Sequence, residues 1–146
     1  MKTITGLVLT LTTAFLIGNT ALAQNDNEIS FANYTVHYNA FPSEFLEPQI
    51  SKAVGLRRSA SRGVITLAVK KRDGSVSKSV KADINGTATN LIGQIRRLRM
   101  IEVRDGDVVY YVGNFVMTRD ERLTFRLSVR PEGDSRWKEF SFSHQF

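Results

Sequence analysis

From Ile29 onward the apolar residues of this 146-residue chain recur at every second position, a period that fits strands rather than helices. Tyr34, Val36 and Tyr38 alternate with Asn33, Thr35 and His37, and Ile65, Leu67 and Val69 with Thr66, Ala68 and Lys70. Leu123, Phe125, Leu127 and Val129 alternate with Thr124, Arg126, Ser128 and Arg130, and Phe140 and Phe142 with Ser141 and Ser143. Successive side chains of a strand point to opposite faces, so each run commits one face to an interior. Turn chemistry separates the runs. Asp73-Gly74 and Asp105-Gly106 mark hairpins, and Pro131-Glu132-Gly133-Asp134 joins the last two strands. Between Pro42 and Gly55 the period changes: Pro48 suits a helix start, Ile50 and Val54 stand four apart, and Gly55 suits a stop. The pattern predicts an all-β domain, a two-layer antiparallel sandwich of immunoglobulin-like type with about seven strands and one short helical crossover. A small closed barrel is the competing architecture.

Residues 1–23 read as an address rather than as part of that fold. Lys2 precedes an apolar stretch from Ile4 to Ile17, and Ala21-Leu22-Ala23 is the small-residue pattern that a signal peptidase cleaves, here before Gln24. The stretch is shorter than the roughly 20 residues needed to span a bilayer. The expectation is a soluble, exported, periplasmic chain with a single domain over residues 24–146 and no membrane span. The chain has no cysteine. That excludes disulfides, thiolate metal sites and a cysteine nucleophile, and a domain of this size folds without staples.

Motifs for catalysis are missing. No Gly-x-Ser-x-Gly elbow or phosphate-cradling glycine loop occurs, and His37 and His144 are the only histidines. The paired acids Asp105 with Asp107, and Asp120 with Glu121, fall in turns, where carboxylates cap and solvate. The sequence therefore predicts no catalytic residue, no metal ligand set and no cofactor, and the chain reads as a non-enzyme.

Charge is the most uneven feature. Between Lys52 and Arg99 stand twelve lysines and arginines against only Asp73 and Asp83. A focused positive field attracts polyanions, while the plainer role of such residues is to solvate strand faces. Arg57, Arg58, Arg62, Arg96, Arg97 and Arg99 form the candidate basic patch, with an envelope protein or an anionic surface as partner and nucleic acid excluded for want of any motif. Tyr38, Phe41, Tyr110 and Tyr111 form a candidate aromatic edge able to anchor a partner.

The stretches Tyr34–Phe41, Gly86–Gln94 and Gly106–Tyr111, together with Arg130-Pro131-Glu132-Gly133, resemble a family of short exported bacterial proteins catalogued as domain of unknown function forty-four twenty-six. The resemblance runs from about Asn33 to Phe146 and implies a periplasmic protein of a Gram-negative bacterium. It carries no activity or site residue. The functional expectation is a non-catalytic binding or interaction module of the envelope. A small-ligand carrier and an enzyme with a site that no motif announces are the alternatives.

Overall fold

The structure, a computed structural model, describes residues 27–146. The expected leader and its cleavage point before Gln24 lie outside the described residues. Nine strands follow in order: β1 (Glu28–Phe31), β2 (Tyr34–Pro42), β3 (Arg62–Asp73), β4 (Val76–Val80), β5 (Ala82–Asn90), β6 (Ile95–Asp105), β7 (Val108–Val116), β8 (Arg122–Pro131) and β9 (Lys138–Gln145). All pair antiparallel in a single sheet of order β1-β2-β3-β7-β6-β5-β8-β9, with β4 paired to the last part of β3 (Val69–Asp73), past the stretch that pairs with β7.

This corrects the two-layer sandwich. The sheet curls through 327° and nearly closes into a barrel. β6 makes the curl continuous, because its first half (Ile95–Leu98) pairs with β5 and its second half (Arg99–Asp105) with β7. Alternation specifies which face is buried; it does not say whether that face meets a second sheet or its own far side.

The expected parities hold. Val36, Ala40, Ile65, Leu67, Val69, Phe125, Leu127 and Val129 all point into one buried cluster. Both Asp-Gly hairpins form, with two-residue loops Gly74-Ser75 and Gly106-Asp107 closing between Asp73 and Val76 and between Asp105 and Val108. The glycines take φ of 60° and 56°, a conformation that glycine adopts without steric cost.

The Pro42–Gly55 stretch holds a single 3-10 turn (Ser43–Phe45) and a helix α1 (Pro48–Ala53), but it is no crossover between layers. It links β2 to β3, which are hydrogen-bonded neighbours. Ser43 Oγ receives the Ser59 N–H at 2.9 Å and donates to the Ser59 carbonyl at 3.0 Å, which pins the excursion at its base. From there Leu46 and Val54 pack outside the barrel on Val64 and Val112, with Phe41, Ile50 and Tyr110 around them. That second, external cluster explains why both faces of β3 and β7 are apolar near their middle.

Candidate functional site

Antiparallel register places one end of β2, β3, β5, β6, β7 and β8 at a common rim, termed here the near rim, which carries Asn90, Ile95, Val116 and Arg122. The far rim carries Asp73, Asp105 and Pro131.

The six arginines of the basic window do not form one patch. Arg96 points along the inward parity of β6, and its guanidinium makes two bonds to Glu121, Nη2 to Oε1 at 2.9 Å and Nη1 to Oε2 at 3.2 Å. The same carboxylate accepts from the Thr118 N–H at 2.9 Å and from Asn90 Nδ2 at 3.2 Å. Arg96 donation is the chief cause that holds the Glu121 carboxyl below its ordinary range, and partial burial opposes it. Arg58 bonds the Glu44 carbonyl through Nε at 3.1 Å and through Nη2 at 2.5 Å, and Arg57 is exposed beside it. Arg62, Arg97 and Arg99 lie on the outer face of the sheet, with Arg62 opposite Val116 on β7 and Arg99 opposite Asn114.

Register brings Arg97 a different companion. On the outer face one cross-strand row reads Arg97 (β6), Thr87 (β5), Arg126 (β8) and Ser141 (β9). The two arginines flank the threonine two strands apart, about 10 Å between backbones. The next outward row reads Asn85, Ser128 and Glu139, with Ser128 Oγ donating to Glu139 Oε1 at 3.5 Å. Together these residues line an open groove of about 790 Å³ across β6, β5, β8 and β9. Neither Arg97 nor Arg126 bonds a carboxylate among the described residues, so both guanidiniums stay available for an oxyanion. Arg126 is not among the sequence candidates. Its strand alternates so regularly that nothing but register reveals its neighbour.

The far rim differs. A smaller concavity of about 360 Å³ is lined by Lys81, Asp83, Glu102, Arg130, Glu132 and Asp134, and four of these six charges are held in ion pairs. Arg130 meets Asp83 at 2.6 Å, Lys138 meets Asp134 at 3.0 Å and Arg104 meets Glu102 at 2.8 Å. The Arg104 hydrogen bond lowers the Glu102 pKa, and the Arg136 backbone N–H does most to lower that of Asp134.

The four aromatics also separate. Tyr38 and Tyr111 face the barrel interior, Tyr38 stacking on Phe142 at 4.4 Å and Tyr111 accepting the Ala82 N–H at 2.8 Å. Burial raises the Tyr111 pKa. Phe41 and Tyr110 face outward and belong to the cluster beneath α1. They are structural on both sides of the sheet rather than a shared edge.

Solved structures of two proteins frame this geometry. A DUF4426 family protein from Pseudomonas aeruginosa PAO1 is 32% identical over 84% of this chain and 97% of its own, with a TM-score of 0.72. A copper-bound variant of FetP from uropathogenic Escherichia coli is 15% identical over 82% of this chain and 91% of its own, with a TM-score of 0.57. FetP has also been crystallised after recombinant expression in the periplasm, and that structure gives a TM-score of 0.55 at 15% identity. Identity this low shows the fold alone, and the copper is FetP's. Here His37 faces outward on β2 with Nδ1 3.3 Å from Glu28 Oε2, whereas His144 has the inward parity of β9 and lies against the Phe146 ring. Burial lowers the His144 pKa. The imidazoles stand on opposite faces of the sheet, and among the described residues no three His, Cys, Asp or Glu gather within reach of one ion. No helix among the described residues is long and apolar enough to cross a membrane. No curated protein matches the sequence. The family model described as Domain of unknown function (DUF4426) matches residues 28–146, and the chain belongs to that family.

Proposed function

We propose that the protein is a non-catalytic binding module of the periplasm, and that its ligand-contacting surface is the outer groove across β6, β5, β8 and β9. The observation that carries this reading is the row in which Arg97 and Arg126 flank Thr87 with neither guanidinium committed to a carboxylate. Two guanidiniums with a hydroxyl between them match an extended anionic partner, such as a phosphorylated or carboxylated envelope component. Glu139 at the margin of the groove repels a misplaced anion and so limits where the partner sits. The barrel axis supports surface binding over carriage of an apolar ligand. It is filled by rings, Phe115 on Phe125 at 5.2 Å and Phe125 on Phe142 at 4.9 Å. The periplasmic address in this reading rests on the leader pattern of residues 1–23.

The test is a salt-gradient elution from heparin, used as the polyanion probe. Wild type is expected to be retained, and Arg97→Gln with Arg126→Gln to bind at least about tenfold more weakly and elute at lower salt. Arg57→Gln with Arg58→Gln should elute close to wild type. Identical elution of all three proteins would assign the groove arginines to strand solvation and overturn the reading.

A further inference from the structure

The turn between β5 and β6 is closed by an unusually complete set of bonds around two residues that have no place at a turn centre. Gly93 N–H donates to the Asn90 carbonyl at 3.0 Å, and Asn90 N–H donates to the Gln94 carbonyl at 3.2 Å. The side chains reinforce this: Gln94 N–H reaches Asn90 Oδ1 at 2.8 Å, and Asn90 Nδ2 reaches Gln94 Oε1 at 2.9 Å. Asn90 Nδ2 also bonds Glu121, which ties the turn to the β7–β8 loop. Leu91 and Ile92 occupy the two central positions and are 80% and 79% exposed, with Ile95 at 68% on the adjoining strand. Glycine, asparagine, aspartate, serine and proline are the residues that turn geometry favours there, and an exposed aliphatic pair gains nothing from the fold. A loop whose backbone is fixed by these bonds and that presents two aliphatic side chains to water is prepared for an apolar environment.

The charges around the turn identify that environment. Extending the β5–β8 register one step past Asn90 and Leu123 sets Leu91 beside Arg122. Arg119 lies in the β7–β8 loop that Glu121 fastens to the turn. Both arginines are exposed, and neither forms an ion pair among the described residues. Glu121 is neutralised by Arg96, which leaves Asp120 as the one uncompensated acid of that loop. Exposed aliphatics bordered by free guanidiniums match the boundary of an anionic phospholipid leaflet, where acyl chains and phosphates lie a few ångströms apart in depth.

We propose that the β5–β6 turn is a membrane-surface anchor: Leu91, Ile92 and Ile95 dip into the acyl boundary of an anionic leaflet while Arg119 and Arg122 bind its phosphates. This goes beyond the binding role of the groove and uses other residues. It sets the barrel on the bilayer by its near rim, with the far rim turned away.

The purified protein is tested by co-sedimentation with phosphatidylethanolamine–phosphatidylglycerol vesicles and with phosphatidylcholine vesicles. Wild type is expected to bind the anionic vesicles more tightly, with affinity falling as salt rises. Leu91→Ser with Ile92→Ser should reduce that affinity at least about tenfold without changing the melting temperature, since both side chains are solvated in the free protein. Arg119→Gln with Arg122→Gln should flatten the salt dependence. In Ile92→Trp the added indole should shift to the blue when vesicles are added. The native Trp137, which precedes β9 at the far rim, provides the unshifted control in the wild-type protein. That spectral shift does not involve the groove, so it separates failure of this proposal from failure of the groove. A serine variant that binds like wild type, or an emission from Ile92→Trp that vesicles leave unchanged, would overturn the anchor. Absence of vesicle binding combined with loss of an envelope protein partner in the serine variant would overturn it too, and would assign the turn to protein contact instead.

Discussion

At Glu121 a single carboxylate, mostly shielded from solvent, receives four N–H groups from Asn90, Arg96 and Thr118, and so joins the β5–β6 turn, β6 and the β7–β8 loop. Its folded pKa is depressed. The stabilisation is therefore fully present above the unfolded carboxylate value, about 4.3, and is lost as pH falls through the folded pKa. Glu121→Gln should cost about 1–2 kcal/mol at pH 7, and the gap to wild type should narrow below about pH 4. Denaturant melts at pH 7 and pH 3 measure both quantities; a gap that is the same at the two values would mean that Glu121 acts through shape and not charge. This residue also shows where sequence reasoning stops. Adjacent to Asp120 in a turn, it reads as a solvating acid, and Arg96 reads as one of the six arginines of the candidate basic patch. The side-chain partners of Glu121, Arg96 and Asn90, lie 25 and 31 positions away in sequence, a separation that local pattern does not bridge.

At the scale of the strand, two glycines show how the interior controls the curl. Gly63 on β3 lies directly opposite Phe115 on β7, and a Cβ there would fall inside the envelope of the phenyl ring. At Gly113 a Cβ would come 2.5 Å from Met100 Sδ, the mobile end of a flexible side chain. Gly63→Ala should therefore destabilise by about 1–3 kcal/mol. Gly113→Ala should cost less, because the thioether can swing aside. Comparison of denaturation midpoints distinguishes them, and equal costs would show that the ring yields as readily as the thioether. Strand parity and both Asp-Gly hairpins were legible in the sequence because each depends on residues a few positions apart. The division of the Val76–Ile84 run into β4 and β5 was not, since its apolar residues keep one parity while the chain leaves β3 and joins β8. The doubled role of β6 was hidden likewise: Leu98 serves the barrel core, and Ile101, on the other parity, serves the cluster under α1.

For the molecule as a whole, the decisive feature is the seam. β1 and β9 are the two ends of the strand order, and side chains rather than a hydrogen-bonded ladder connect the lips. Tyr38 stacks on Phe142 at 4.4 Å and leans on Phe140 at 5.2 Å, and Phe31 meets Phe140 at 6.3 Å. Phe142→Ala should cost about 3–5 kcal/mol, because the ring also stacks on Phe125 deep in the core. Amide exchange should then quicken first along β9, while β3 and β7 stay protected. Uniform quickening would mean that the barrel opens as one unit. Curvature was the least legible property of the sequence. A sandwich and a barrel demand the same alternation, and the choice depends on pairings such as β3 with β7 and β5 with β8 that join distant segments.

The lips of the seam are also the first and last strands in chain order. A chain that has delivered β1 through β8 but not β9 is a trough, with the rings of Tyr38, Phe115 and Phe125 lying open along its floor. Such an intermediate is stickiest just before completion, so its lifetime, more than the stability of the finished barrel, sets how much help the chain needs from holdases while it emerges. Crowding and slow emergence would act most strongly in that interval, and a variant that is stable once folded could still be lost by lingering there.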